Sequence, residues 1–184
     1  MNSSNNYFWD GFNHFSFALF FVLILYIVLN RKAHLSKSFW IALVMGSSAL
    51  FFLPPTIKFI YPFNWTIWHF LHFPLPDWDI LIIGKSWHRY FLFHSAILPL
   101  ILFYETPATP KTIPTITGAL VGISSHLIWD GLTCAMSTSI VFYKDTLEIS
   151  GYTGKGWLIV NGLAIMALAI AYARRNKAAF KAEI

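Results

Sequence analysis

Apolar positions along this 184-residue chain fall into five runs with almost no charge: Phe12 to Leu29, Phe39 to Leu53, Tyr90 to Tyr104, Ile113 to Leu132 and Trp157 to Ala173. Polar residues, prolines and glycines gather between them. Such runs predict helices that cross a bilayer, although several fall short of the roughly 20 residues that a hydrocarbon core about 30 Å thick requires. Their ends must then borrow flanking aromatics, or the membrane must thin locally. Buried helices of a soluble bundle are the alternative. The expected fold class is all-α, a polytopic membrane bundle of about five transmembrane helices forming one domain over residues 1–184. The stretch "MNSSNNYFWDGFNH" lacks the basic n-region of a cleavable signal, and no small-residue cleavage site follows the first run. The first helix is therefore read as permanent.

Two long connections, about Pro54 to Arg89 and Thr133 to Gly156, carry their own patterns. In the first, "FNWTIWHFLHFPLPDWD" is rich in Trp, Phe and His, which suits an amphipathic segment lying in the membrane interface. Pro54 and Pro55 predict the end of the second helix, and Pro74 and Pro76 an extended entry to Asp77. The second connection, "STSIVFYKDTLEISGYTGKG", mixes β-branched and aromatic residues with Gly-containing turns, which predicts a short hairpin or an irregular cap.

Composition strengthens the membrane reading, because 57% of residues are hydrophobic and 11% charged, against roughly 25% charged in an ordinary soluble domain. The net charge of +5 has a distribution unlike that of a nucleic-acid binder, and no nucleic-acid partner is expected. Arg31, Lys32 and Lys37 follow the first run, and Arg174, Arg175, Lys177 and Lys181 follow the last. Such clusters mark cytoplasmic ends. Five alternating spans then place the N-terminus outside and the C-terminus in the cytoplasm. Asp10, Asp77, Asp79, Asp130, Asp145 and Glu148 fall on the outer side. The single cysteine, Cys134, excludes an internal disulfide.

The titratable residues concentrate on that same side. His14 is expected at the outer start of helix one, Asp77 and Asp79 in the outer loop, His88 and His94 at the outer start of helix three, and His126 and Asp130 near the outer end of helix four. These are seven potential metal ligands. The i, i+4 pair in "SSHLIWDGLT" puts His126 and Asp130 one turn apart on one helix face. An ionisable pair inside a membrane helix is costly unless it works; its other reading is an interhelical hydrogen bond. Of Asp77 and Asp79, one is expected to ligate while the other ligates a second ion or orients a histidine. Arg89 either pairs with an acid or grips an anionic substrate group. His34, His69 and His72 read as interfacial or hydrogen-bonded residues.

"NHFSFAL", "LPDWD", "HRYFLFHS" and "SHLIWDGLT" stand in the order and character of a known family. From His14 to Thr133 the chain resembles the predicted membrane-bound metal-dependent hydrolases, the YdjM-like family. That family has an early His, then LPD-x-D, HR followed by HS, and SH-x3-D-x2-T. Two positions depart from the pattern: six positions rather than five separate His88 from His94, and Ile80 stands where the family often has His. The family is distantly similar to zinc-dependent phospholipases C and related nucleases. The resemblance implies hydrolysis, with His14, Asp77, Asp79, His88, His94, His126 and Asp130 as the metal ligands.

Imidazole and carboxylate donors without thiolate suit Zn²⁺, with Mn²⁺ or Fe²⁺ open. Seven ligands exceed what one catalytic zinc needs, so two ions are expected. An ion of this kind lowers the pKa of a bound water toward roughly 7. Arg89 would hold a phosphate, and whichever of Asp77 and Asp79 binds metal less tightly is the first candidate for general base. The substrate is expected to be a membrane lipid or another amphiphilic phosphoester, reached in a bacterial or archaeal plasma (inner) membrane. The rival classes are a metal-ion or proton transporter and a non-catalytic membrane subunit with a structural metal.

Overall fold

The structure, a computed structural model, describes residues 3–30, 34–50, 71–84, 88–143 and 146–180, with the side chains of 3–7 left aside. It is mostly helical. In chain order come α1 (Ser3–Val28), α2 (Lys37–Ser47), a 3-10 turn (Leu75–Asp77), α3 (Trp78–Ile82), α4 (Ile97–Glu105) and α5 (Thr112–Thr133). The strands β1 (Ile140–Tyr143) and β2 (Leu147–Ile149) follow, then α6 (Gly151–Arg175) and a last 3-10 turn (Lys177–Phe180).

The middle of the bundle is α5, which packs most extensively against α6 and α2 and then against α1. Its sequence allows this because small residues stand where neighbours come close. A Cβ on Gly118 would run into the Phe39 carbonyl, and one on Gly122 into the Leu43 carbonyl, both of α2. This lets the two backbones touch, as small residues do between membrane helices. Leu43 and Leu127 are fully buried, and Leu158 and Ile165 nearly so, in one core cluster. The polar side chains of α5 turn back on backbone carbonyls. Thr117 donates to Ile113, Ser125 to Gly122, and Ser124 across the interface to Gly162 of α6.

Two helical segments, Phe8–Val28 of α1 and Gly151–Arg175, are long and apolar enough to cross a membrane by length and composition. They leave Leu19, Phe20, Leu23 and Ile27 on one, and Val160 and Leu163 on the other, exposed outside the bundle. An apolar face of this kind suits lipid contact. The remaining runs behave differently. With 11 and nine residues, α2 and α4 reach about 16 and 13 Å at the helical rise, well below about 30 Å. At 22 residues α5 is long enough, about 33 Å, but is not apolar enough to count as a candidate span, so among the described residues length and composition together support two of the five expected spans.

Several boundaries also correct the sequence reading. The first helix begins at Ser3, so His14 lies about three turns inside it rather than at its start. The second ends at Ser47, ahead of Pro54 and Pro55, which lie outside the described residues. The third begins at Ile97 rather than Tyr90, which places Pro99 in its first turn, where the missing N–H costs nothing. Residues 88–96 form turns instead, and Tyr90 pairs with Val141 as an isolated bridge. Pro74 is extended as expected, but Pro76 belongs to the 3-10 turn. The expected hairpin is present: β1 and β2 are antiparallel, with Ile140 opposite Ile149. Of the expected interfacial segment, residues 63–70, including His69, lie outside the described residues.

Candidate metal centre

The site forms where the N-terminal half of α1, the end of α2 and the end of α5 meet the segments 74–82 and 88–96. On α5 the helical repeat places the buried His126 and Asp130 on one face, with Nε2 to Oδ2 at 3.9 Å. His14 of α1 joins them, with Nε2 3.4 Å from Asp130 Oδ1. The His14 and His126 rings stack with centroids 4.3 Å apart. His126 Nδ1 lies 2.9 Å from the Ser47 carbonyl. A carbonyl can only accept, so Nδ1 carries a proton, and this contact turns Nε2 toward Asp77 and Asp130.

Turns, not helices, position the other four residues. Asp79 is fully buried, and both its oxygens accept backbone amides, Oδ1 from Ile80 at 2.7 Å and Oδ2 from Tyr90 at 2.8 Å. Two imidazoles press on the same carboxylate: His88 Nδ1 is 3.4 Å from Oδ1 and His94 Nδ1 3.3 Å from Oδ2. Arg89, between them, has φ +66°, a left-handed conformation that costs a non-glycine residue roughly 1–2 kcal/mol. Its neighbours hold it there, since the Val141 N–H donates to the Arg89 carbonyl and the Phe91 N–H to the Val141 carbonyl. His94 is fixed from α6: the Trp157 indole donates to its carbonyl at 2.9 Å, and Asn161 Oδ1 accepts from the Ala96 amide at 2.9 Å.

Asp77 connects the two halves. Its Oδ1 lies 3.4 Å from His94 Nε2, 3.5 Å from His126 Nε2 and 3.9 Å from His88 Nδ1. Asp77 Oδ1, His94 Nε2 and His126 Nε2 are all buried without a hydrogen-bond partner. Tetrahedral zinc with bonds of about 2.0–2.2 Å has ligand-to-ligand edges of about 3.3–3.6 Å. The two edges from Asp77 Oδ1 match, and all three donors lie within 4.8 Å of one another, a set that could hold a small divalent cation. Burial opposes the ionised form of Asp77, but the facing imidazoles, His126 foremost, outweigh it and hold the carboxyl well below its ordinary range. Asp79 is likewise penalised by burial and lowered by its contacts with His88 and His94.

All seven sequence-derived ligands thus fall into three neighbouring groups that can hold an ion: His14, His126 and Asp130; Asp77, His94 and His126; and Asp79, His88 and His94. His126 offers a single lone pair, so the first two compete for it. In the third, Asp79 already accepts two amides, which fits it to orient imidazoles. The extra residue between His88 and His94 does not separate them, because the intervening chain is not helical and the rings meet edge to face at 5.5 Å. Arg89 pairs with an acid, with Nη2 3.3 Å from Asp130 Oδ2. His34 and His72 are in none of the groups.

A cavity of about 180 Å³ opens onto the centre, lined by Asp10, Gly11, His14, Ser47, Ser48, Phe73, Pro74, Asp77 and His126. His94, fully buried, is not among its lining residues. Sequence reasoning missed Ser47, Asp10, Trp157 and Asn161. Asn161, a polar side chain inside an apolar run, carried a usable signal; Ser47, one of two adjacent serines, carried none. Family models, curated proteins and solved structures were compared with the chain, and none matches it.

Proposed function

We propose that this chain is an integral membrane metal-dependent hydrolase that cleaves a phosphoester of a lipid or other amphiphile at the outer membrane face. The observation that carries the reading is the convergence of three buried, unpartnered donors, Asp77 Oδ1, His94 Nε2 and His126 Nε2, beside an open cavity. Three protein ligands and one accessible position are the pattern of a catalytic rather than a closed zinc site. The resemblance to the YdjM-like hydrolases points the same way.

In this reading Asp77, His94 and His126 hold one Zn²⁺, and His14 and Asp130 contribute to a second, with Mn²⁺ or Fe²⁺ as substitutes. The ions supply Lewis acidity and activate water. The protein residues do the positioning. Ser47 fixes the tautomer of His126 through its carbonyl, and Asp79 aims His88 and His94. Arg89 balances Asp130. Five spans, with α2 and α4 crossing only part of the bilayer as bare helices, place the N-terminus outside and the basic residues after α6 in the cytoplasm of a plasma (inner) membrane. The fold agrees with a one-ended site: α1 and α6 both begin at the site end. At the other end the His34 amide donates to the Phe180 carbonyl.

Transport is the weaker reading. Transporters place their polar site near the bilayer midplane, whereas Thr117, Ser124 and Ser125 of α5 spend their hydroxyls on backbone carbonyls. A purely structural metal leaves the cavity without a role. The test is turnover of a panel of soluble and lipid phosphoesters by detergent-purified protein. Activity removed by chelator and restored by Zn²⁺ is the expected result; turnover that persists in the metal-free protein contradicts it.

A further inference from the structure

We propose that the cavity between α1, the end of α2 and the Leu75–Asp77 turn is the subsite for a compact tetrahedral oxyanion, a phosphoryl group, and that the Ser47 hydroxyl donates a hydrogen bond to it. The inference rests on the metal-dependent hydrolase reading and names the group that its centre handles.

Ser47 is fully buried and lines the cavity, yet its Oγ has no hydrogen-bond partner. A serine in a helix commonly returns its hydroxyl to a carbonyl of the preceding turn. Thr117 does so here, to Ile113, and Ser48 donates to the Ala49 carbonyl. Ser47 does neither. Its own carbonyl accepts from His126 Nδ1, so the residue steadies that imidazole through its backbone while its buried hydroxyl is left without a partner beside the cavity. The backbone is committed to this arrangement. The Ser48 and Ala49 amides both bond to the Val44 carbonyl, and Ala49 takes φ +52° although it is buried.

Size and charge select the ligand. A volume of about 180 Å³ corresponds to roughly six waters at about 30 Å³ each. That accommodates a phosphoryl group with a water beside it. The imidazoles of His14 and His126 and the carboxylate of Asp77 belong to the proposed metal centre, so the Ser47 hydroxyl is the side-chain donor left on the inner wall, beside the cations that centre would hold. Asp10, the other lining acid, has a side chain 72% exposed and is solvated. An oxyanion is therefore favoured at the inner end, and the organic remainder leaves past Asp10. Phe8, Trp9 and Phe12 stand exposed on the same turns of α1, as an aromatic belt does at a membrane surface.

The experiment titrates inorganic phosphate into zinc-loaded protein in detergent by calorimetry, for the wild type, Ser47→Ala and Thr117→Ala, with zinc counted in each. Ser47→Ala should keep its zinc and bind phosphate about tenfold more weakly, as for loss of one hydrogen bond to a charged group. Thr117→Ala, which loses a buried hydroxyl outside the cavity, should match the wild type. Equal phosphate affinity in Ser47→Ala and wild type overturns the assignment of the hydroxyl, and zinc-loaded wild type that binds no phosphate overturns the subsite. A wild type that takes up no zinc overturns the underlying hydrolase reading instead. Should Ser47→Ala lose its zinc, Ser47→Cys decides. That variant preserves the packing with a weak donor: weaker phosphate binding supports the proposal, and unchanged binding ends it.

Discussion

The two halves of the centre are built by different means. His14, His126 and Asp130 stand on long helices, where the 3.6-residue repeat and close packing fix each side chain. Asp77, Asp79, His88 and His94 stand on short turns, and a buried carboxylate organises them: Asp79 accepts from Ile80 and Tyr90 and touches both histidines. The helical half is rigid because of what surrounds it, and the loop half because of one residue at its middle. A change in Asp79 should therefore spread through a whole half, while a change in a ligand should stay local.

The largest effect is expected where the halves meet. His126→Ala and Asp77→Asn each remove a donor of the central group, so both should lose the central ion, and activity should fall at least a hundredfold. Circular dichroism should show helix content retained in both. A variant that stays loaded and active breaks the proposed meeting point. Next comes Asp79→Ala, which leaves two amides and the His88 imidazole without their acceptor and His94 without its facing carboxylate. Breaking such a buried charged network costs on the order of 3 kcal/mol or more. The thermal midpoint in detergent should fall clearly, and zinc affinity should drop about tenfold to a hundredfold through lost orientation. An Asp79→Ala protein as stable as the parent would show that the turns hold themselves.

On the helical side, Gly122→Val places side-chain atoms against the Leu43 carbonyl. Overpacking of this kind costs roughly 1–3 kcal/mol and should push Ser47 away from His126. The expected reading is weaker zinc binding with the loop half intact, seen as unchanged hydrogen-exchange protection at the Tyr90 amide. The smallest effect is in pH. The folded carboxyl of Asp79 sits below its ordinary value, so its contribution to stability is fully present above about pH 4. It is lost as pH falls through the lowered value. Metal-free wild type should lose stability on acidification below about pH 4, and Asp79→Asn should show a shallower loss.

This contrast also explains what the sequence made legible. The His126 and Asp130 pair was readable because helical spacing needs no tertiary information, and the hairpin was readable from its β-branched residues and turn signals. The start of α4 was not: Tyr90 to Ala96 is as apolar as a helix, and it is a bridge to Val141 and the Asp79 carboxylate that turn it away. The roles of Asp77 and Asp79 looked interchangeable in "LPDWD". Only the backbone amides that point at Asp79, and their absence at Asp77 Oδ1, separate the one fitted to orient histidines from the one left open to an ion. Ser47 lay beyond sequence reasoning because its task depends on the contact of α2 with α5 at Gly122.

The most direct test of the central claim is X-ray absorption at the zinc edge on detergent-purified, zinc-loaded protein, with the metal counted in the same sample. About two ions per chain are expected, with nitrogen and oxygen neighbours near 2.0–2.1 Å, imidazole scattering beyond them, and a lower count in His126→Ala. Protein that binds no stoichiometric metal, or whose metal signal is the same in His126→Ala, would contradict the account.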